Sequence, residues 1–204
     1  MLYAGFQGVV LGLSMIVPIG AQNSHVLSQG IKRHFHLLTA TVCILCDVIL
    51  INIGIFGGAK LLSRSPLLIS IISWAGMAFL VGYAGMSFRS AWQNNYQATR
   101  YNQDATTRVA VLTTTLAITL LNPHVYLDTV VILGSVGGQF NGYDKVAFAV
   151  GTMLASIIWF YCLATAAATL SPWLNRSKVQ RIIDCLVGCV MCVIAYMLYQ
   201  SILT

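Results

Sequence analysis

Two aspartates stand where a charge is costly. Asp47 has no other charged residue between Arg33 and Lys60, and Asp128 has none between Arg108 and Asp144. Both fall inside long apolar stretches. A charged side chain at mid-bilayer costs at least about 3 kcal/mol on insertion scales, so such a group normally faces a bundle interior and serves a substrate or proton path. Two prolines with polar neighbours accompany these acids. One segment reads Pro18-Ile19-Gly20-Ala21-Gln22-Asn23-Ser24-His25, the other Asn122-Pro123-His124-Val125-Tyr126-Leu127-Asp128. A proline within an apolar helix removes a backbone donor and kinks or breaks it. The broken ends expose amides and carbonyls that can hold the amino and carboxyl groups of a small solute. The candidate substrate- and proton-binding residues are therefore Asp47, Asp128, Asn23, Gln22, Asn122, His124 and Tyr126, with Pro18, Gly20 and Pro123 forming the breaks. His124 lies four residues before Asp128 on the same helical face and can pair with it. Asp184, three residues after Arg181, reads instead as a carboxylate favoured by a helix N-terminus.

Other chemistries find little support. The cysteines Cys43, Cys46, Cys162, Cys185, Cys189 and Cys192 all lie in apolar segments, where cysteine behaves as a small hydrophobe. Cys43-x-x-Cys46 and Cys189-x-x-Cys192 have redox or zinc spacing but lack the second ligand pair or the strand context those sites need. There is no His-Glu-x-x-His and no Gly-x-Ser-x-Gly, and every acid is an aspartate, so the motifs of an intramembrane hydrolase are missing. We expect no catalytic residues, no metal site and no cofactor.

The elements that must position the two aspartates follow from composition. Of 204 residues, 58% are apolar and 8% charged, against about 25% charged in soluble domains, and mean hydropathy is +0.81. This predicts an all-α polytopic membrane protein. Six apolar stretches, at 3–28, 37–62, 67–88, 109–133, 146–170 and 182–203, are each long enough to span a bilayer. They lack the alternation of a barrel strand. The net charge of +6 is scattered through short connections, which argues against nucleic-acid binding. Residues 1–31 carry no charged side chain, so the first stretch reads as a retained span, not a signal peptide. Alternate loops hold Lys32, Arg33, Arg89, Arg100, Arg108, Arg176, Lys178 and Arg181 on one side, against Lys60, Arg64 and Lys145 on the other. The positive-inside rule then puts both termini outside the cytoplasm. Trp92, Trp173, Tyr3, Tyr143 and Tyr199 near the span ends read as interfacial aromatics.

The four prolines pair at a near-constant offset: Pro18 with Pro123, and Pro66 with Pro172, where Ser65-Pro66 echoes Ser171-Pro172. At the first offset Asn23 aligns with Asp128 and Asp47 with Thr152. Three spans per half make the second half an inverted copy of the first. The expectation is one transmembrane transporter domain over 1–204, with halves at about 1–95 and 105–204 joined by the polar loop 89–108. Gly8-x-x-x-Gly12, Gly54-x-x-x-Gly58 and Gly134-x-x-x-Gly138 permit close helix contact, either within the bundle or across a homodimer.

Pro18-Ile19-Gly20-Ala21-Gln22-Asn23 resembles the Pro-x-Gly-Pro-Gln-Asn motif at the first helix of the LysE family of amino-acid exporters. Asn122-Pro123-His124-Val125-Tyr126-Leu127-Asp128-Thr129 resembles the family's second such segment. Gln29-Gly30-Ile31-Lys32-Arg33, Ile55-Phe56-Gly57-Gly58 and Arg181-Ile182-Ile183 with Val187-Gly188-Cys189-Val190-Met191 extend the likeness to nearly the whole chain. Ala21 departs from it, standing where the family usually has a second proline. The resemblance implies a multi-pass protein of the bacterial inner membrane that exports L-arginine, with lysine and canavanine as further substrates. It also implies that Asp47 and Asp128 are the functional aspartates. Arginine is always cationic, and its guanidinium matches a carboxylate, so exchange for an incoming proton is the expected coupling. Two alternatives remain open: export of neutral amino acids such as homoserine, and export of divalent metal ions with His124 and Asp128 as ligands.

Overall fold

A computed structural model describes residues 1–18, 20–58, 66–93, 107–174 and 177–203, and among the described residues the fold is all helical. Lys60, Arg64, Arg100 and Arg176, and residues 94–106 of the central loop, lie outside the described residues, as do the side chains of Pro123 and His124. Helix α1 (Leu2–Ile16) stops just before Pro18, and α2 (Ala21–Lys32) sets off at 79° to it. Pro18 cannot continue a helix, and Gly20 supplies the extended N-cap, with φ −120° and ψ −172°. Helix α3 (His36–Ile53) runs on into a π-helical turn, Gly54–Gly58, and α4 (Pro66–Gln93) follows.

The second half opens with α5 (Arg108–Leu120), capped by the Thr107 hydroxyl, which accepts from the Ala110 amide at 3.2 Å. A break at Asn122-Pro123 leads to the short α6 (Pro123–Tyr126), a π-helical turn Leu127–Ile132 and α7 (Leu133–Gly137). Then come α8 (Gly142–Thr169), the single turn α9 (Ser171–Leu174) and α10 (Ser177–Leu203). Among the described residues, His36–Gly57, Gly142–Thr169 and Lys178–Tyr196 are long and apolar enough to cross a bilayer, and the bent pair α1–α2 makes a fourth candidate.

The outer surface is as apolar as a protein core. Leu45, Ile49 and Ile53 on α3 and Val146, Val150, Leu154 and Ile158 on α8 form exposed stripes at helical spacing. Such stripes are stable against lipid, not water. Polar residues turn inward, among them Asn23, His25, Asp47, Thr115, Asn122, Thr152 and Ser156. Thr115, Thr129 and Thr152 donate to the carbonyls four residues earlier, at 2.6–2.9 Å, so each hydroxyl is satisfied on its own helix.

Several of the motif glycines serve contacts inside the chain. A Cβ at Gly8 would run into the Phe148 carbonyl oxygen of α8, and one at Gly54 would lie 2.6 Å from the Thr129 oxygen. Gly134 meets Gly54 in turn. Backbones approach that closely where at least one side lacks a side chain. The expected role of Asp184 is corrected. It sits beyond the first turn of α10, and its Oδ2 accepts a 2.7 Å hydrogen bond from Ser90 Oγ of α4, so it links two helices instead of capping one.

Candidate functional site

Both breaks leave carbonyls without helical partners, and each is tied off by a polar side chain from the helix that follows. At the first, Asn23 Nδ2 donates to the carbonyls of Ile16 (2.7 Å) and Pro18 (2.8 Å), while its Oδ1 accepts from Trp159 Nε1 of α8 at 3.1 Å. At the second, the Tyr126 hydroxyl donates to Leu120 O at 2.8 Å. An unsatisfied polar group in lipid costs several kcal/mol, so these bonds let each break persist at membrane depth. Asn23 and Tyr126 therefore hold backbone, and Trp159, which sequence reasoning missed, holds Asn23. No spacing rule links a tryptophan to an asparagine 136 positions away.

The two breaks meet around one cavity of about 230 Å³. It is lined by Pro18, Gly20, Gln22 and Asn23 from the first break, Asn122 and Asp128 from the second, and Asp47 from α3 between them, with Ile194 of α10 closing one wall. Residues far apart in sequence thus line one cavity, Asp47, Asp128, Asn23, Gln22, Asn122, Pro18 and Gly20 of the candidate set among them. Tyr126 does not line the cavity, and the His124 side chain is outside the described residues. The volume falls below the roughly 300–1,000 Å³ of drug-sized sites and suits a single small solute.

Asp47 is 2% exposed. Its Oδ2 accepts from Ser156 Oγ of α8 at 2.7 Å, a partner that a lone serine in an apolar helix did not announce. Gln22 Nε2 lies near Asp47 and the Cys43 sulfur, yet makes no hydrogen bond of ordinary geometry. A buried donor without a partner is rare and marks a place for a ligand or water. Asp128 is half-buried and lines the same cavity. The pocket thus holds two carboxylates from different elements.

It also receives the amino end of α2. The first amides of a helix have no internal acceptor, and here the first bond closes between Ser24 N and Gly20 O. The amides of Ala21, Gln22 and Asn23 therefore carry the positive end of the helix dipole at the cavity wall. Ala21 occupies the first helical position, where a proline would also fit. The alanine preserves the helix start and adds an N–H that a proline lacks. A Cβ on Gly20 would meet nothing within 4 Å, so its backbone is accessible from the cavity. Taken together, this arrangement offers acceptors for a cation and donors for an anion within one small volume.

Comparison with known proteins bears on this chemistry. Residues 13–201 match the family model described as LysE type translocator. The arginine exporter protein ArgO of Yersinia enterocolitica is 48% identical over 201 residues, covering 98% of both chains. The protein of the same name from Salmonella typhi is 48% identical over 196 residues, covering 96% of this chain and 93% of its own length. A YggA protein of Aeromonas salmonicida is 53% identical over 197 residues, covering 97% and 96%. No solved structure matches the chain.

Proposed function

The chain belongs to the LysE type translocator family, and from that premise we propose that it exports L-arginine across the bacterial inner membrane, with lysine and canavanine as further substrates. The observation that carries this reading is the cavity itself, whose lining includes Asp47, Asp128 and the N-terminus of α2. Arginine is cationic at its guanidinium and amino groups and anionic at its carboxylate. The aspartates suit the cationic groups through charge-assisted bonds, and the α2 amides with Gln22 suit the carboxylate. A neutral amino acid brings one cationic group to the two carboxylates where arginine brings two, which favours a cationic substrate over homoserine. Relatives at 48% identity over nearly the whole chain, named for arginine export, support the same substrate.

Export must also work against the membrane potential. Moving one positive charge out of a negative interior costs about 2.3 kcal/mol per 100 mV. Exchange for an incoming proton cancels that electrical cost, and a carboxylate that holds a proton and the guanidinium in turn is the simplest carrier. We assign that alternation to the Asp47–Asp128 pair.

Six spans in two inverted halves are part of this proposal. Its support is the element order: a helix broken at Pro18 or Pro123, then a long helix (α3 or α8), then another beginning at or near Pro66 or Pro172. The whole chain then acts as one transport domain with both termini outside the cytoplasm.

The test is uptake into inverted membrane vesicles acidified inside by respiration. Labelled arginine should accumulate, and a protonophore should abolish accumulation. Accumulation of homoserine or cadmium in place of arginine would overturn the substrate reading, and arginine uptake indifferent to the protonophore would overturn proton exchange.

A further inference from the structure

Helix α2 is polar out of proportion to its place in the bundle. Gln22, Asn23, Ser24, His25, Ser28 and Gln29 make up half of its 12 residues, yet no residue of the helix is exposed. Within a membrane bundle, polar groups face a neighbouring partner or a watered route, and on α2 the two kinds separate by face. Asn23 bonds Trp159 of α8, and Val26 packs with Ala40, Cys43, Phe160 and Ala164. Gly30 abuts Ala167. That side is closed by α3 and α8.

The other side carries Gln22, His25, Gln29 and Lys32, at the i, i+3, i+7, i+10 spacing of one helical face. At His25 and Lys32 it looks toward α5 and α10, and at Gln22 it turns to Asp47 and Cys43 in the pocket wall. Thr115 Oγ1 of α5 donates its only proton to Val111 O at 2.7 Å, so at 3.1 Å it accepts from His25 Nε2, which fixes that nitrogen as the donor. Lys32, at the far end of α2, lies within the electrostatic reach of Asp184 of α10, whose Oδ2 accepts from Ser90 of α4. The row begins with Gln22 in the pocket wall and ends at Lys32, about 15 Å away at 1.5 Å per residue.

We propose that this face of α2 is the route by which substrate passes between the pocket and the Lys32 end of the bundle, with Asp184 as the outer acceptor for the arriving cation and the His25–Thr115 contact as the closure between them. The proposal rests on the transport reading of the pocket. Its chemistry is that of exchange between like charges. The Lys32 ammonium occupies the field of Asp184 until a free cationic amino acid takes its place. That cation then passes along the carboxamides of Gln29 and Gln22 to the paired aspartates once His25 and Thr115 separate. Both closing side chains are buried, at 3% and 0% exposure, so the route is shut in this conformation.

Single cysteines in a cysteine-free variant test the route. Gln29→Cys lies on the proposed face and Leu27→Cys on the opposite side of the helix. Inverted vesicles would be treated with a small cationic thiosulfonate, and membrane abundance measured by immunoblot. Gln29→Cys, on the Lys32 side of the closure, should react and arginine should slow the reaction several-fold, while Leu27→Cys stays inert; Gln22→Cys, behind the closure, should react several-fold faster once His25→Ala is added. The route is overturned if Leu27→Cys reacts as fast as Gln29→Cys, if neither reacts, if His25→Ala leaves the rate at Gln22→Cys unchanged, or if no amino acid slows the reaction. Slowing by homoserine but not by arginine would keep the route and overturn the substrate. Asp184→Asn in the native chain should raise the KM for arginine several-fold with the maximal rate kept. A fall in abundance with unchanged KM would reduce Asp184 to a packing role and overturn its part in the route.

Discussion

One oxygen of Asp47 is held by the Ser156 hydroxyl at 2.7 Å, and Gln22 stands beside the carboxylate in the cavity wall. An asparagine at this position keeps the size and some hydrogen bonding but cannot ionise. A hydrogen bond to a charged group is worth about 1.5–3 kcal/mol, so Asp47→Asn and Asp128→Asn should each lower arginine export by roughly tenfold or more, and a glutamate at either position should retain part of it. A role in helix packing makes the opposite forecast, because removing a buried charge from lipid is favourable. Canavanine resistance and arginine efflux from cells fed an arginine dipeptide read the difference, with abundance checked by immunoblot; wild-type efflux from both variants at equal abundance would defeat the carboxylate mechanism. The two aspartates were readable in the sequence because a lone acid in an apolar run has few uses. Ser156 and Trp159 were not readable, since each is an ordinary member of an apolar helix until the fold brings it to Asp47 or Asn23. Asn23 was readable as a site residue, but its bonds to Ile16, Pro18 and Trp159 give it work on the backbone that its type alone did not reveal.

At the scale of elements, the breaks depend on their caps and the cavity on its small residues. Asn23→Ala removes the donor to the carbonyls at the end of α1 and leaves Trp159 Nε1 without its acceptor. Leaving a buried polar group unpaired costs about 1–3 kcal/mol, so this variant should lose both export and thermal stability in detergent. Gly20→Leu should separate the two properties. Its backbone sits in an extended conformation that any residue adopts, and a Cβ meets no atom within 4 Å, so the protein should fold while the side chain fills part of the cavity. Export near zero at normal abundance is the expected result; full export would show that substrate does not pass Gly20. Gly8→Val tests packing alone, since its Cβ would strike the Phe148 carbonyl. Overpacking of this kind costs about 1–3 kcal/mol, seen as a lower melting temperature. Helix positions and the first break followed from apolar length and proline. The π-helical turns at Gly54–Gly58 and Leu127–Ile132 did not, because one extra residue in a turn leaves no mark on hydrophobic periodicity. The meeting of Gly54 with Gly134 was equally hidden, since small residues at i, i+4 announce a contact but not its partner.

For the whole molecule, the inverted-repeat proposal and the orientation stand or fall together. An odd number of spans per half turns the second half upside down, which brings the two breaks to similar depth from opposite sides and lets them share one cavity. An even number would leave the halves parallel. The same span count places the loops holding Lys32, Arg33, Arg89, Arg108, Lys178 and Arg181 on one side of the membrane. On this proposal the excess of basic residues would make that side the cytoplasm, and the proposed polar track along α2 would open toward the compartment that supplies the substrate. A single cysteine at Asn95 in a cysteine-free variant therefore has a definite expected environment. In intact cells, an impermeant maleimide should leave it unlabelled, and disrupting the membrane should expose it. A second cysteine at Asn141, the residue before α8 on the opposite side, should label in intact cells under the same conditions. The reverse pattern would invert the protein, so that the α2 track faced outward and Asp184 received substrate only at release. Labelling of both positions in intact cells would mean that an even number of spans separates them, and the inverted repeat would fail with the orientation.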